Sequence, residues 1–328
     1  MPIPHILLID GNNLGYASMY AQAYSGQSAD GPIPLGVTGL IRSLLRILRL
    51  FPGAVPVVLW DGHAGWRKTL CPEYKGNRNT TPEAQAITDS WNRQQPVARE
   101  VLVRMGILQI RSPNAEADDL AGLFCRDPGR LDAYGIQRIT LVTGDTDWWQ
   151  ALSERVDWFT PITDRTMTLE TLRTPEAKGG PFTGPEEYIL AKAIAGDPSD
   201  NIAGVPGVGL LTAVKLLRRH GGLEGLVQAV TAGVARDQKS LQIAEALPRI
   251  ARNRRLMDWR LAPVAPEPVE ITCRPFDPSA CFAFCAELGI ARFAERILAE
   301  WEPARSTAEV LRYCQETANS ALSCRSVA

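Results

Sequence analysis

Aspartate and glutamate residues follow the apolar segments of this chain in a repeated pattern. IPHILLID, AVPVVLWD and RITLVTGDTD each run from apolar residues into aspartate, and NAEADDLAGLF and AIAGDPSDN carry further acids at short spacing. Alone, such an acid is more typical of a turn or a helix cap than of a metal site. Together they are hard oxygen donors without His or Cys, which favours magnesium or manganese over zinc. The nine acids are Asp10, Asp61, Glu116, Asp118, Asp119, Asp145, Asp147, Asp197 and Asp200.

Two divalent ions held by these carboxylates would suit phosphodiester hydrolysis. Such ions, about 4 Å apart, activate a water and stabilise the leaving oxygen of an in-line displacement. A pocket of carboxylates also repels a polyanion, so fixed cations must accompany the metals. The segment PEYKGNR, residues 72–78, offers candidates, because it places Tyr74, Lys75 and Arg78 within five positions.

The acid-bearing segments must be held side by side, and the first 150 residues contain elements that can do so. Short apolar runs alternate with helical patterns such as Val37 to Leu50, which predicts an α/β fold with a mostly parallel sheet flanked by helices. Ligands of such sheets bind beyond the carboxyl ends of the strands, so we expect the acids that follow the strands to converge on one edge. Asn114 is the predicted N-cap of the next helix, which would place Glu116 and Asp119 on one face.

The segment GVPGVG, residues 204–209, predicts a tight turn between two helices. It lacks the Gly-Lys-Ser/Thr ending of a nucleotide-binding P-loop. Its glycines would let backbone N–H groups and the following helix N-terminus approach a phosphate. Basic residues follow; each alone is compatible with a solvated helix face, but together they indicate contact with a duplex backbone. They are Lys215, Arg218, Arg219, His220, Arg249, Arg252, Arg254, Arg255 and Arg260.

Composition and charge limit the classes of protein to be considered. The 328 residues can form one large or two modest domains, and 45% hydrophobic with 22% charged residues is typical of a globular chain. A net charge of -1 excludes a uniformly basic nucleic-acid binder, but not one whose charges are segregated. The seven cysteines include no Cys-x-x-Cys pair, which favours free thiols. Without a signal peptide or a stretch of roughly 20 apolar residues, we expect a cytoplasmic protein, in the host cytoplasm for a phage gene, with no membrane contact.

In their order, the motifs DGNNL, WDG, PEYKGNR, EADD, TGDTD and GDPSDNIAGVPGVG resemble the structure-specific 5' nucleases of the flap endonuclease class. The resemblance is closest to the stand-alone bacteriophage and bacterial 5'-3' exonucleases and to the N-terminal domain of bacterial DNA polymerase I, and it covers residues 3 to about 260. It implies a PIN-like α/β fold, a helical arch over the site and a helix-three-turn-helix DNA-binding region. It also implies hydrolysis, with two Mg²⁺ or Mn²⁺ ions, of DNA carrying a 5' flap, a 5' overhang or a single-stranded 5' end, by a monomer.

The resemblance assigns roles to PEYKGNR and to the segment after it. Lys75 and Arg78 match the basic pair at the foot of the arch, which holds and polarises the scissile phosphate. Tyr74 matches a ring on which a terminal base stacks. The arch is expected at residues 77–105, as two helices joined at a break at Pro96. Its few basic residues include no Lys, which is unusual for an arch that grips a single strand.

The resemblance also divides the acids between two metal sites. The seven acids from Asp10 to Asp147 match a first, tighter site, and Asp197 and Asp200 match a second, with Asp119 and Asp147 able to serve either. Leu211 stands where members of the class often carry a Lys, so one phosphate contact is expected to be missing. The turn GVPGVG with its two flanking helices, called the glycine hairpin below, is expected to bind one K⁺ ion. The residues expected to bind DNA there are Gly204, Gly207, Gly209, Thr212 and Lys215.

These expectations give a division of the chain. A PIN-like nuclease domain spans residues 1–180, a DNA-binding region 181–265, a helical region that packs on the core 266–302, and a weakly ordered tail 303–328. Two other functions stay open. One is a PIN-class ribonuclease or RNA-primer-removing nuclease acting on RNA–DNA hybrids, and the other is a DNA-binding homologue without catalysis.

Overall fold

The computed structural model of the chain describes residues 5–24, 34–78, 80–174, 177, 180–262 and 268–323. Seven of its strands form one sheet in the order β6-β5-β4-β1-β2-β3-β9, and β7 pairs with β8. The five central strands of the large sheet run parallel, whereas β6 and β9 are antiparallel edges. The prediction of a mostly parallel sheet is therefore confirmed. The strands are β1 (His5–Asp10), β2 (Val55–Trp60), β3 (Leu108–Arg111), β4 (Arg138–Val142), β5 (Val156–Thr160), β6 (Arg165–Met167), β7 (Gly196–Asp197), β8 (Ile202–Ala203) and β9 (Glu270–Thr272).

Helices flank the sheet, and none of those described is both long and apolar enough to cross a membrane. Within the described residues, three short 3-10 helices occur at Thr146–Ala151, Pro198–Asp200 and Trp259–Leu261. The α-helices are α1 (Gly11–Tyr24), α2 (Leu35–Leu50), α3 (Gly65–Leu70), α4 (Pro82–Arg104), α5 (Ala117–Cys125), α6 (Pro128–Ala133), α7 (Leu169–Leu172), α8 (Pro185–Ala195), α9 (Leu210–His220), α10 (Leu223–Thr231), α11 (Gln238–Glu245), α12 (Leu247–Met257), α13 (Pro278–Glu287), α14 (Ala291–Glu300) and α15 (Thr307–Ser323).

The two faces of the sheet bury two separate apolar clusters, because side chains alternate along a strand. In β1, Ile6 and Leu8 pack with residues of α5, α8 and α12, whereas Leu7 and Ile9 pack with residues of α1, α2 and α4. All four side chains are fully buried. Such continuous apolar strands are typical of a parallel sheet that is covered on both faces.

The strand order creates one position at which a ligand can enter. The chain passes outward from β1 through β2 to β3 and then returns to the other side of β1 to form β4 and β5. The switch point therefore lies between β1 and β4, and ligands of such sheets bind beyond the strand ends at this point. Asp10, Asp61 and Asp145 stand at or just after the carboxyl ends of β1, β2 and β4.

The segment expected to form an arch of two helices is one helix, so the expected break at Pro96 is wrong. The helix α4 runs for 23 residues with Pro96 inside it. An internal proline removes one hydrogen bond and costs about 3 kcal/mol. Burial of Trp91 before it and of Ala98 and Val101 after it, against α1 and α2, offsets that cost and keeps the helix continuous. Position 79 of the expected arch lies outside the described residues.

The C-terminal segment also differs from the expected weakly ordered tail. The helix α15 covers Thr307–Ser323, and residues 324–328 lie outside the described residues. Val310, Tyr313 and Cys314 recur at helical spacing and are buried in the cluster that contains Phe124. The Tyr313 hydroxyl donates to the backbone carbonyl of Phe124 in α5. An apolar stripe of this kind anchors a terminal helix.

Candidate active site

Acids that follow β1 and β2 meet near the switch point of the sheet. The Asp10 carboxylate accepts hydrogen bonds from the backbone N–H of Asn13 at 2.8 Å and from the hydroxyl of Thr143 at 3.1 Å. Burial, together with the neighbouring carboxylate of Asp61, raises the pKa of Asp10 to about 7. Burial and a neighbouring negative charge both disfavour the ionised carboxylate, and a bound cation would stabilise it.

Asp61 joins this edge of the sheet to the acidic helix α5. One of its carboxylate oxygens accepts from the backbone N–H of Ala117 at 2.8 Å, and the other accepts from the side-chain amide of Asn12 at 2.7 Å. Ala117 is the first residue of α5, where the helix dipole favours negative charge. The strand ends and the first turn of α5 therefore form one network.

The helix α5 begins two residues later than predicted, because its N-cap is Glu116 and not Asn114. Asn114 is exposed in the preceding turn. The side chain of Asp119 accepts from the backbone N–H of Glu116 at 3.0 Å, as in a capping box. Asp118 is half-buried and has no ion-pair or hydrogen-bond partner among the described residues. Its burial raises its pKa well above the usual range of a carboxyl group.

A buried arginine that sequence reasoning missed lies against this first turn. The two terminal nitrogens of Arg67 donate to the two carboxylate oxygens of Asp119, each at 2.6 Å. Arg67 is also 3.6 Å from the carboxylate of Glu116, and its side chain is only 2% exposed. In the sequence WRKTL, nothing distinguishes a buried arginine from a solvated one. Its role becomes visible only when α3 and α5 are brought together.

The segment PEYKGNR contacts the acids directly through Glu116. The Tyr74 hydroxyl donates to Glu116 at 2.9 Å, and the Lys75 ammonium donates to the same oxygen at 2.8 Å. Burial opposes the ionisation of Glu116, but Lys75 and Arg67 outweigh it and lower the pKa of Glu116. Tyr74 is 4% exposed, so the expectation that its ring offers a surface for a terminal base is wrong for this conformation. A buried phenol needs a hydrogen-bond partner, and Glu116 provides one.

The same segment is docked on the turn that carries the last two acids. The backbone N–H of Lys75 donates to the carbonyl of Asp200 at 2.8 Å, and Arg78 forms an ion pair with the Asp200 carboxylate. The Asn77 amide donates to the carbonyl of Pro198 at 2.7 Å. Lys75 has a φ of 55°, a left-handed conformation that a residue other than glycine adopts at a cost of about 1 to 3 kcal/mol. The contacts with the turn hold Lys75 in this conformation.

A second cation that the sequence did not single out, Lys192 of α8, lies among the remaining acids. Its ammonium contacts Asp147 and donates to Asp197 at 2.8 Å, with 14% of its side chain exposed. Burial opposes the ionisation of Asp197, but Lys192 outweighs it and lowers the pKa of Asp197. Asp145 accepts from the backbone N–H of Asp147 at 2.8 Å, and burial raises the pKa of Asp145. Lys192 thus partly neutralises this side of the pocket.

The donor set fits a hard divalent cation, although the acids are paired with protein cations in this arrangement. Within the residues that the structure describes, no three Asp, Glu, His or Cys side chains are placed so that they could hold one ion. Lys75 contacts Glu116, and Lys192 contacts both Asp147 and Asp197, so these ammonium groups neutralise charge that a metal would otherwise neutralise. Burial, followed by the neighbouring carboxylate of Asp61, disfavours the ionised form of Asp10 and raises its pKa to about 7. Carboxylate oxygens at this crowding are typical ligands of Mg²⁺ and Mn²⁺.

The glycines of GVPGVG have different environments. A Cβ on Gly204 would lie 2.0 Å from the carbonyl oxygen of Ala195, so this glycine permits close packing within the β7–β8 hairpin. Gly207 has a φ of 71°, and it and Gly209 are exposed with open space around the Cβ positions. Gly209 is the N-cap of α9, and no side chain caps that helix. The exposed N–H groups of such a terminus favour an anion.

The basic residues near this hairpin are only partly available to a ligand. Arg218 is paired with Glu187 at 2.6 Å, and Arg260 contacts Asp258 at 2.9 Å. Lys215 is exposed and has no partner among the described residues. Fewer of these basic side chains can therefore contact a duplex backbone than the sequence predicts. Thr212 is half-buried in the first turn of α9.

A buried amide of α12 fixes the hairpin, and sequence reasoning missed it. The side-chain amide nitrogen of Asn253 donates to the carbonyls of Ala193 at 2.9 Å and Ala203 at 3.0 Å. Asn253 is fully buried. It ties α12 to the end of α8 and to β8, on either side of the turn that carries Asp197 and Asp200.

Comparisons with known proteins agree with this geometry. The 5'-3' exonuclease N-terminal resolvase-like domain matches residues 5–177, and the 5'-3' exonuclease C-terminal SAM fold matches residues 183–278. DNA polymerase I of Mycobacterium tuberculosis is 33% identical over 279 residues, which are 84% of this chain and 29% of the polymerase. The thermostable DNA polymerase I of Thermus thermophilus is 34% identical over 231 residues, which are 69% of this chain and 25% of the polymerase. The chain thus spans less than a third of the length of these relatives.

Solved structures show the same fold at lower identity. The bacteriophage T5 D15 flap endonuclease in a pseudo-enzyme-product complex with DNA and metal ions has a TM-score of 0.63 at 22% identity, covering 90% of this chain and 98% of that one. The catalytic core of Rad2 in complex with a DNA substrate has a TM-score of 0.54 at 14% identity, covering 91% of this chain and 92% of that one. Since both domain matches are consecutive and the first alone extends over residues 5–177, the chain belongs to the 5'-3' exonuclease family.

Proposed function

We propose that this chain is a divalent-metal-dependent 5' nuclease that hydrolyses phosphodiester bonds at the 5' end or flap junction of DNA. The observation that carries the proposal is the contact between three parts of the molecule. Glu116 joins the acids of the switch point to Lys75, and Asp200 joins the turn beside the glycine hairpin to Lys75 and Arg78. A pocket of acids and a pair of cations are thereby joined to the turn that precedes the glycine hairpin.

The metal would be held by carboxylates on the two sides of the pocket. Two bound divalent ions would activate the attacking water and stabilise the leaving oxygen. The T5 D15 protein, which shares the fold, was co-crystallised with metal ions, and this supports the proposal. The proposed ligands are Asp10, Asp61, Glu116, Asp118, Asp145, Asp147, Asp197 and Asp200.

Lys75 and Arg78 are proposed to bind the scissile phosphate. In the free protein each is paired with a carboxylate, Lys75 with Glu116 and Arg78 with Asp200. These pairs keep the two cations at the acid pocket and limit the repulsion between the acids. A phosphate bound there would accept from both cations, and their fixed positions would stabilise the charge that develops during the displacement.

The glycine hairpin is proposed to bind the duplex behind the cleaved end. The exposed backbone at Gly207 and Gly209 and the uncapped terminus of α9 suit a phosphate. Lys215, about one and a half turns further along α9, would contribute a charge contact without reading bases. The K⁺ ion expected at this hairpin and the monomeric state stay predictions.

Cleavage of 5'-end-labelled substrates tests the proposal. A 5'-flap duplex, a gapped duplex, a blunt duplex and a flap with an RNA 5' segment would be incubated with Mg²⁺ or with EDTA. We expect cleavage of the flap in Mg²⁺ and none in EDTA, with Asp145→Asn inactive although it removes only one formal charge. Cleavage that persists in EDTA would contradict the metal requirement. Preference for the RNA-containing flap would favour primer removal instead.

A further inference from the structure

An ion pair enclosed by the protein lies directly behind the proposed metal ligands. Arg67 and Asp119 form two parallel hydrogen bonds of 2.6 Å, and their side chains are 2% and 5% exposed. Such bidentate pairs combine charge with fixed geometry. The Arg67 guanidinium also lies 4.4 Å from the centre of the Trp66 ring. Both charges are therefore compensated inside the protein.

The oxygens of Asp119 are fully engaged in this arrangement. Each accepts from Arg67, and one of them also accepts from the backbone N–H of Glu116 at 3.0 Å. A divalent ion bound to either oxygen would have to displace the guanidinium, which is only 2% exposed and bonded to both oxygens. The ammonium groups of Lys75 and Lys192, which contact proposed ligands, are 23% and 14% exposed and lie on flexible side chains, so they can move aside for an ion. Asp118, the adjacent acid, has no such partner among the described residues. Asp119 therefore does not fit the metal set to which the sequence assigned it.

Arg67 connects three separate parts of the chain. It lies in α3 and reaches Asp119 in the first turn of α5, and its Nε donates to the carbonyl of Leu256 at 3.2 Å, near the end of α12. Glu116, 3.6 Å away, precedes that first turn as its N-cap. Because Asp119 also holds the Glu116 N–H, a displacement of Arg67 is transmitted to Glu116 through one residue.

We propose that Asp119 is not a metal ligand and that Arg67, through Asp119, is a positioning residue that fixes Glu116 for metal binding. The proposal rests on the proposed function, since it concerns ligands of that same metal site. Its prediction for metal affinity is opposite in sign to the one that electrostatics alone would give. Removing a cation 3.6 Å from Glu116 should strengthen metal binding if charge alone matters. If Arg67 positions Glu116, removing it weakens metal binding.

The test is the affinity of the folded protein for Mn²⁺ alone, measured from the electron paramagnetic resonance signal of free Mn²⁺ without DNA. Arg67→Met and Arg67→Lys are both expected to raise the Mn²⁺ dissociation constant by about tenfold or more, as is usual when a residue that orients a ligand is lost. Lys75→Met is the matched control, because it removes the other cation that contacts Glu116 without touching the Arg67–Asp119 pair. It is expected to lower the dissociation constant.

Adding Asp119→Leu to Arg67→Met separates positioning from ligation. Relative to Arg67→Met alone, we expect the second substitution to change the Mn²⁺ dissociation constant by less than about threefold. Loss of a metal ligand would instead change it by about tenfold. A further rise of about tenfold or more would make Asp119 a ligand and overturn the proposal. Unchanged or tighter Mn²⁺ binding by Arg67→Met would also overturn it. If Arg67→Met does not fold, Arg67→Lys decides by the same criterion, and absence of Mn²⁺ binding by the wild type would overturn the proposed function as well.

Discussion

Replacing Lys75 by methionine separates attraction of DNA from stabilisation of the reacting phosphate. Methionine keeps much of the length of the lysine side chain. Residue 75, whose φ is 55°, therefore still carries a side chain, as it does in wild type. In the wild-type protein, the Lys75 ammonium lies 2.8 Å from Glu116 and 23% of the side chain is exposed, so the ammonium acts in a partly desolvated pocket. If this ammonium lay about 4 Å from a phosphate charge, the attraction between them at an effective dielectric constant of about 20 would be roughly 4 kcal/mol.

Part of that energy is already spent on binding the ground state, so we expect the single-turnover rate to fall by about 10²-fold, within the range for a lost preorganised donor. The assay is single-turnover cleavage of a 5' flap at saturating enzyme in Mg²⁺, paired with DNA binding in Ca²⁺, which is expected to weaken by no more than about tenfold. Lys68→Met, at an exposed position of α3, is the control for loss of one positive charge. A Lys75→Met rate within twofold of wild type would refute the reasoning.

Three further predictions concern other parts of the molecule. Asn253→Ala removes the donor to the buried carbonyl of Ala193 and to the partly buried carbonyl of Ala203, so urea unfolding should show a loss of roughly 1 to 3 kcal/mol; a loss below about 0.5 kcal/mol would contradict the role of this amide. Burial lowers the pKa of His5 to about 4, whereas in the unfolded chain this imidazole takes up its proton near pH 6.5. Wild type should therefore lose about 1 to 2 kcal/mol of its free energy of unfolding as the pH falls from about 6.5 to about 4, after allowance for partial exposure. His5→Gln should lack this loss, and equal pH profiles would contradict it. Lys215→Ala should reduce the slope of log affinity against log salt by about one unit on any duplex sequence, whereas exposed Lys239→Ala should not; an unchanged slope would place Lys215 off the DNA.

The sequence predicts the sheet and the position of the acids well, because both follow from local patterns. Apolar runs that end in aspartate specify parallel strands, and parallel strands place their carboxyl ends at one edge. Asp10 and Asp61 are therefore correctly brought together. The helix cap is harder to predict, because Asn is a preferred N-cap residue and Glu is not, yet the contact between Asp119 and the Glu116 N–H accompanies an N-cap at Glu116.

Two residues that sequence reasoning missed, Arg67 and Asn253, have partners that are distant in sequence. Arg67 pairs with Asp119 across 52 positions, and Asn253 reaches Ala193 across 60. No periodicity or motif records such contacts. The burial of Tyr74 has the same origin, because its hydroxyl donates to Glu116, 42 positions away.

Anomalous diffraction from crystals soaked in Mn²⁺ tests the central claim most directly. The account predicts two peaks roughly 4 Å apart at the switch point, as in two-metal nucleases, one beside Asp10 and Asp61 and the other beside Asp147 and Asp197. It also predicts that Asp119 stays paired with Arg67 and contacts neither ion. No peak among these carboxylates, or a single ion bound elsewhere, would contradict two-metal hydrolysis at this site.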